Sequence, residues 1–342
     1  MIREAFGAEF VGAEGFLNSP TYGLPPQFMF DALQDCLRTW QAGTMDVPAF
    51  DESVSAGRAG YAALVGVPVD SVTMAGTVSS ALGLVAAAIP DGSRVVTLPG
   101  EFTSTSFPFA AQSSRGVTIT ELNSDELVTR ARDFDVVTVS LVQSANGAVL
   151  DVDALRANVA GTDTLTVIDV TQALGWKNIA LQWADVTVAA VYKWLLAPRG
   201  TAWMSMSERV SRSMIPHAAN WYAGEKPWST IYGLPLRLAD DARRFDVSPT
   251  WFSALGSGLT LPWLASLDRA AVEAHALGLA SRLRTELQLP HEPSAIVSIP
   301  TTSAEKLRDA GIRASIRAGA VRVGFHLYNT EDDLDRLLDV LR

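Results

Sequence analysis

The segment Thr164–Lys193, TLTVIDVTQALGWKNIALQWADVTVAAVYK, carries the clearest fold signal in the sequence. Its apolar runs Leu165–Ile168 and Val186–Val191 are short and rich in Val, Thr and Ile, which predicts two buried β-strands. Asp169 ends the first run, and Lys193 closely follows the second. Because α/β proteins bind ligands at the carboxyl ends of parallel strands, this stretch predicts an α/β fold with a ligand site at the edge of its sheet.

The alternation of strand and helix patterns extends on both sides of this stretch. Strands that alternate with helices form a mainly parallel sheet covered on both faces. Further strands are predicted at Val95–Leu98, Val136–Val142 and Thr201–Met204, with helices at Thr77–Ile89 and Val152–Val159. After Arg237 the pattern predicts a smaller α+β unit. Its helices and strands are predicted at Leu255–Leu289, Ile296–Ile299, Val321–Gly324 and Glu331–Leu341.

The composition excludes several classes of protein. With 48% hydrophobic and only 19% charged residues, the chain has few charges to cover its surface, so we expect part of that surface to be buried in an oligomer. A net charge of −10 opposes binding to nucleic acid or to an anionic membrane. The single cysteine, Cys36, excludes an intramolecular disulfide, and the longest apolar run, Ala81–Ile89, is too short to span a bilayer. Since the N-terminus also lacks a signal-peptide pattern, we expect a soluble, cytoplasmic protein.

Asp169, Lys193 and the segment Ala75–Ser80, AGTVSS, together predict a cofactor site. Taken alone, Asp169 could cap the next helix, Lys193 could emerge into solvent, and AGTVSS could be an ordinary helix N-cap. Pyridoxal phosphate needs a lysine for its Schiff base, an acid that keeps its ring nitrogen protonated, and a phosphate cradle such as a helix N-terminus. Other ligands are disfavoured: there is no P-loop, Gly256-Ser257-Gly258 lacks the third glycine of a dinucleotide site, and the four histidines lack zinc-ligand spacing.

Six segments extend this pattern along the chain. They are FLNSPTYGLPP (Phe16–Pro26), MAGTVSSALG (Met74–Gly83), IDVTQALG (Ile168–Gly175), YKWLLAPRG (Tyr192–Gly200), RRFD (Arg243–Asp246) and VRVGFHLYNTEDDLDRL (Val321–Leu337). In this order they resemble the aminotransferase class V family, fold-type I of the pyridoxal-phosphate enzymes. That family includes cysteine desulfurases, kynureninases and isopenicillin-N epimerase-like proteins.

The resemblance implies a large domain with a mainly parallel, seven-stranded type of sheet between helices, and a smaller C-terminal α+β domain. We expect residues 1–20 to form an N-terminal segment that contributes to the small domain and the active site. Residues 21–235 would form the large, cofactor-binding domain and residues 236–342 the small domain. The resemblance also implies a homodimer with its active site at the interface.

The resemblance assigns roles around the cofactor ring. Lys193 resembles the Schiff-base lysine, which also moves the substrate's Cα proton, and Asp169 resembles the partner of the ring nitrogen. Gln172 resembles the group that hydrogen-bonds the ring hydroxyl oxygen. Phe102 occupies the position that stacks on the ring, where desulfurases often have histidine. Phenylalanine can stack but cannot exchange protons, so acid–base chemistry is expected of Lys193.

Other positions resemble the phosphate site. Gly76, Thr77 and Val78 resemble the phosphate-binding turn. Tyr192, which is histidine in desulfurases and tyrosine in kynureninases, would contact the phosphate. Ser248 would reach the phosphate of a partner subunit.

For the substrate, Arg322 resembles the arginine that binds the α-carboxylate, a task that suits its planar guanidinium. Asn146 would either lie near the substrate or shape the turn before Gly147. Thiol-dependent desulfuration is rejected, because Ala310–Val321 contains no cysteine and Cys36 is predicted to be a buried core residue.

The resemblance implies an enzyme that acts on a small amino acid through an external aldimine and a Cα carbanion. Aminotransfer is the leading prediction. The alternatives are β-elimination or C–S or C–C lysis, as in kynureninases, and racemisation or epimerisation. A non-catalytic scaffold is disfavoured, since it would need neither Lys193 nor Asp169.

Two groups of residues can each be interpreted in two ways. Trp221, Trp228 and Trp251 would pack in a core or an interface, or form an aromatic wall of the substrate pocket. His217 and His326 would be ordinary hydrogen-bonded residues, or would assist a proton transfer.

Overall fold

The computed structural model describes residues 2–300 and 304–342 and shows an α/β protein built on a seven-stranded sheet. The strands are β1 (Ile2–Ala5), β2 (Ala8–Val11), β3 (Val72–Ala75), β4 (Arg94–Thr97), β5 (Thr118–Glu121), β6 (Val136–Ser140), β7 (Leu165–Asp169), β8 (Val186–Ala190), β9 (Ala202–Met206), β10 (Ile296–Ile299), β11 (Ser315–Arg317) and β12 (Ala320–Gly324). The α-helices are α1 (Gln27–Gln41), α2 (Phe50–Val65), α3 (Val78–Ala88), α4 (Thr103–Ala110), α5 (Ser124–Arg130), α6 (Val152–Val159), α7 (Glu208–Ser213), α8 (Trp251–Ser266), α9 (Arg269–Glu286), α10 (Ala304–Asp309) and α11 (Glu331–Leu341).

The central sheet has the strand order β3-β9-β8-β7-β6-β4-β5. β9 is antiparallel to both of its neighbours, whereas the other pairings are parallel. The prediction of a mainly parallel sheet is therefore confirmed. β6, β7, β8 and β9 are buried along their whole length apart from Leu165, as expected for strands covered by helices on both faces.

The predicted elements differ from the observed ones mainly at their ends. The helical stretch Leu255–Leu289 is interrupted, because α8 ends at Ser266 and Asp268 caps a new helix by accepting a hydrogen bond from the Ala271 backbone N–H at 3.1 Å. Elements without a counterpart among the predictions include β3, the edge strand β5 and the helices α2, α4 and α5.

Helices α2 and α8 pack against each other closely, and glycines permit this approach. A Cβ atom added at Gly60 would lie 2.7 Å from the backbone of Leu261, and one at Gly258 would lie 2.5 Å from the Ser53 carbonyl oxygen. The first helix after the predicted domain boundary thus packs on a helix of the predicted large domain. The boundaries at residues 20 and 235 stay a prediction.

A second sheet of three antiparallel strands, in the order β10-β12-β11, carries Arg322 on its central strand. The chain's N-terminal segment lies against this sheet: Asn18 bridges to Gly324, and Leu17 is buried in the same apolar cluster as Val321 and Val323. This packing brings residues 18–21 next to the sheet that carries Arg322. Within the described residues, each helix is too short or too polar to cross a lipid bilayer.

Candidate active site

A cavity of about 140 Å³ lies at the carboxyl ends of β6, β7 and β8. It occupies the edge of the sheet that the sequence pattern predicted for a ligand site. The predicted site residues that line it are Gly76, Thr77, Val78, Phe102, Asp169, Gln172, Tyr192 and Lys193.

Lys193 lies just after the end of β8 and is 6% exposed. Among the described residues, its Nζ atom has no hydrogen-bond or ion-pair partner, and the Phe102 ring centroid lies 5.2 Å away. Burial lowers the pKa of Lys193 to about 8, the Asp169 carboxylate opposes this shift, and the Arg322 guanidinium adds to it. A buried amine with a lowered pKa is available as a nucleophile and as a base.

Asp169 is the last residue of β7, and its buried carboxylate faces the same cavity. Oδ1 accepts a hydrogen bond from the Thr171 backbone N–H at 2.8 Å, and Oδ2 accepts one from the Thr105 hydroxyl at 3.0 Å. These bonds fix the carboxylate and leave it capacity to accept a further hydrogen bond. No arginine or lysine of the described residues forms an ion pair with it.

The N-terminus of α3 opens onto the cavity. Thr77 caps the helix in a reciprocal arrangement: Ser80 N donates to Thr77 Oγ1 at 3.1 Å, and Thr77 N donates to Ser80 Oγ at 3.1 Å. The N–H groups of Val78 and Ser79 remain at the start of the helix without an intrahelical acceptor, as is usual for a first turn. Free N–H groups and the positive end of the helix dipole form a binding place for an anion such as phosphate.

Both the Nε2 and the Oε1 atom of Gln172 form hydrogen bonds within the protein. Nε2 donates to the Pro20 carbonyl oxygen at 2.9 Å and to the Ser144 hydroxyl at 3.1 Å, while Oε1 accepts from the Trp194 indole at 2.8 Å. Gln172 therefore connects the N-terminal segment to the segment that follows Lys193. Its side chain lines the cavity in this fixed position.

Arg322 is buried beside the cavity rather than in its lining. Nη1 donates to the Ser144 carbonyl oxygen and hydroxyl, and Nη2 donates to the Thr21 hydroxyl at 3.0 Å. Nε is buried and has no hydrogen-bond partner in the part of the chain that the structure describes. Burial, together with the nearby Arg317 charge, lowers the pKa of Arg322 to about 10.

Asn146 and Ser248 lie outside the cavity lining. Asn146 accepts a hydrogen bond from the Ala148 backbone N–H at 3.0 Å, so its side chain shapes the turn around Gly147, where φ is +83°. Ser248 is exposed on the segment that leads to α8. A role for Ser248 in a partner subunit stays a prediction.

The structure also shows where the tryptophans and histidines with two open interpretations lie. The Trp228 indole donates to Asp51 at 2.6 Å and contacts Trp221, and Trp251 stacks on Phe50. These three tryptophans pack against other elements, away from the cavity lining.

His326 is buried and donates to the Trp194 carbonyl oxygen. Burial lowers the pKa of His326 to about 3, so it is neutral at pH 7, while His217 is exposed. The prediction that Cys36 is a buried core residue is wrong, because it is partly exposed on α1.

Sequence reasoning missed several residues that shape the site. Arg199 lines the cavity and lies over the Tyr192 ring, 5.3 Å from its centroid. Asp246, in the RRFD segment, binds buried Arg58 at 2.6 Å and also accepts from the Met74 backbone N–H at 2.8 Å, just before the Gly76 turn. The Thr77 cap had a local sequence signal, the T-x-x-S spacing. The contacts of Asp246 join residues far apart in the sequence, so no local pattern predicts them.

The site fits one class of cofactor. A buried amine that has no partner among the described residues, a carboxylate and the first N–H groups of a helix face one cavity, as pyridoxal phosphate requires. In the described part of the chain, His, Cys, Asp and Glu side chains form no cluster that could hold a metal ion. The fold and the site together define a pyridoxal-phosphate enzyme of α/β architecture.

Comparison with known proteins gives the family: the model of the class-V aminotransferases matches residues 47–307, and the chain belongs to that family. An uncharacterised aminotransferase of Bacillus subtilis is 22% identical over 303 residues, which cover 82% of this chain and 80% of the relative. A probable hercynylcysteine sulfoxide lyase of Mycobacterium tuberculosis is 26% identical over 330 residues, covering 84% and 79%.

Among solved structures, a cystine C–S lyase in complex with its reaction product cysteine persulfide superposes with a TM-score of 0.84. That structure is 16% identical and the match covers 96% of this chain and 97% of the lyase. The likeness shows the fold, which confirms the predicted fold class. Family membership confirms the predicted cofactor, pyridoxal phosphate.

Proposed function

We propose that this enzyme is an aminotransferase that acts on a small amino acid. The specific support for aminotransfer is the match to a relative named an uncharacterised aminotransferase, at 22% identity. The buried Lys193 amine, which has no partner among the described residues and lines the same cavity as Asp169, supports the general class of reaction. Pyridoxal phosphate supplies an aldehyde that joins amines and a ring that accepts electron density. The protein's task is to hold that group, bind the amino acid and move protons.

Each of these tasks has a candidate residue. Lys193, with its pKa lowered to about 8, would hold the cofactor and later take the proton from the amino acid's Cα. Asp169 would keep a proton on the ring nitrogen. The N-terminus of α3 would bind the phosphate, and Phe102 would cover the ring.

Arg322 would bind the α-carboxylate of the amino acid. Its buried Nε has no partner among the described residues, and a substrate carboxylate would satisfy it. The lowered pKa of about 10 still leaves the guanidinium charged at pH 7. Binding at this arginine would orient the amino acid so that its Cα–H bond lies in the geometry needed for proton removal.

A second candidate function is elimination from an amino acid with a sulfur substituent. Its support is the match to a relative named as a probable hercynylcysteine sulfoxide lyase, at 26% identity. Desulfuration that uses a protein thiol is not proposed, because Cys36 lies on α1 and outside the cavity lining. Racemisation would use the same residues without a specific observation in its favour.

We also propose a homodimer. Large apolar side chains are exposed on α1 and on the loop before α8, where Trp40 is 56% and Leu234 is 90% exposed. A second copy that covered these surfaces would remove them from water. Light scattering after gel filtration should give twice the mass of 36.6 kDa.

The reaction is tested by incubating the purified holoenzyme with single amino acids and no keto acid. Aminotransfer predicts one equivalent of aminated cofactor and one equivalent of keto acid per site, after which the reaction stops. Continuous release of ammonia from cysteine-derived substrates would instead support elimination and contradict aminotransfer. S-substituted cysteine and its sulfoxide belong in the panel beside alanine, which carries no leaving group.

A further inference from the structure

Glu101 is a buried carboxylate just before α4. It is 8% exposed, and no lysine, arginine or histidine of the described residues forms an ion pair with it. Each of its oxygens accepts two hydrogen bonds. Oε1 accepts from Phe102 N at 2.8 Å and Ser140 Oγ at 2.6 Å, and Oε2 accepts from Ser140 N and Gln143 Nε2, both at 2.8 Å. A carboxylate is costly to bury, and in the part of the chain that the structure describes these four hydrogen bonds compensate for its loss of water.

The bonds of Glu101 connect two sides of the cavity. Phe102 and Ser140 both line it, and the Phe102 ring centroid is 5.2 Å from Lys193 Nζ. Gln143 precedes Ser144, whose hydroxyl accepts from Arg322 Nη1 and from Gln172 Nε2, each at 3.1 Å. Glu101 thus links Phe102, which lines the cavity, to the segment whose Ser144 binds Arg322.

We propose that Glu101 is a positioning residue that fixes Phe102 over the cofactor ring and fixes the Gln143–Ser144 segment against Arg322. It does so through four accepted hydrogen bonds, without lining the cavity itself. The effect on Arg322 rests on the proposed function, in which that arginine binds the substrate carboxylate. The effect on Phe102 requires only that the cofactor is bound.

Glu101→Gln tests this inference with almost no change in volume. A glutamine amide has one acceptor oxygen, so its NH₂ must face one of the two pairs of donors. If it faces Ser140 N and Gln143, the Gln143 amide can rotate but the Ser140 backbone N–H cannot. If it faces Phe102 N and the Ser140 hydroxyl, the hydroxyl can accept but the Phe102 backbone N–H cannot. Either orientation leaves one backbone N–H facing the amide NH₂, and this repulsion displaces a segment that lines the cavity.

The experiment compares Glu101→Gln with Glu121→Gln, the same change at an exposed position at the end of β5. Glu101→Gln should alter the visible circular dichroism of the bound cofactor and lower kcat/KM about 10- to 100-fold, mainly through KM, as expected for a displacement of about 1 Å. Glu121→Gln should match the wild type in both. Gln143→Leu keeps the bond to Phe102, so it should raise KM with little change in circular dichroism.

If the circular dichroism and the KM of Glu101→Gln both equal those of the wild type, the inference is wrong. The same holds if the variant differs from the wild type only in a lower Tm. If Glu101→Gln fails to fold, a wild-type KM in Gln143→Leu would overturn the link to Arg322. If the wild type processes no amino acid but Glu101→Gln still alters the circular dichroism, the proposed reaction fails while the positioning of Phe102 stands.

Discussion

Replacing Asp169 by asparagine should abolish most turnover while leaving the fold intact. The two hydrogen bonds of the side chain survive the change: an amide oxygen can accept from Thr171 N, and the amide NH₂ can donate to the Thr105 hydroxyl. Because the side chains have nearly equal volume, the free energy of unfolding should change by no more than about 1 kcal/mol. What the substitution removes is the negative charge that would keep the cofactor's ring nitrogen protonated.

Loss of one preorganised electrostatic partner typically lowers kcat by about 10²–10³-fold, or about 2.7–4 kcal/mol, and we expect a loss on that scale. The assay measures kcat with saturating substrates in samples matched for cofactor absorbance, with Tm recorded in parallel. Thr105→Val, which removes one hydrogen bond to the carboxylate but keeps the charge, is the matched control and should lose much less activity. A kcat of Asp169→Asn within about threefold of the wild type, at equal cofactor content, would show that the Asp169 charge is not needed for turnover.

Three further predictions concern the surrounding residues. Arg322→Ala should raise the KM for amino acids far more than the dissociation constant of the cofactor; the reverse pattern in the two titrations would contradict its assignment. Asp246→Ala leaves Arg58 buried without its carboxylate, so the protein should lose about 3–5 kcal/mol of stability and about 5 °C in Tm by calorimetry; an unchanged Tm would count against the buried pair. The apoenzyme should take up pyridoxal phosphate faster as the pH rises, with a midpoint near 8, because only the neutral amine of Lys193 attacks; a midpoint near the ordinary 10.5 would exclude the lowered pKa.

The site residues that could be predicted from the sequence are those at the ends of predicted strands. Asp169 ends β7 and Lys193 closely follows β8, so the parallel arrangement of these strands predicts that both residues lie at the same edge of the sheet. The start of α3 was equally predictable, since Thr77 and the hydroxyl residues after it form a local capping pattern.

The residues that the sequence did not locate depend on contacts between distant segments. Glu101 meets Ser140 and Gln143 only because the ends of β4 and β6 lie side by side, and Arg58 meets Asp246 across 188 positions. The break between α8 and α9 had a local signal, the Asp268 cap, but the apolar periodicity on either side concealed it. Arg322 was located on its strand, yet its burial against Ser144 and Thr21 follows from tertiary packing alone.

The role of Lys193 is tested by identifying the lysine that holds the cofactor. The sequence has four lysines, Lys177, Lys193, Lys226 and Lys306, and only one of them lines the cavity. After borohydride reduction of the yellow holoenzyme, proteolysis and mass spectrometry should place the cofactor on Lys193, and Lys193→Ala should lose both the label and the visible absorbance band. Label on another lysine, or a protein that stays colourless when supplied with pyridoxal phosphate, would rule out Lys193 as the residue that binds the cofactor.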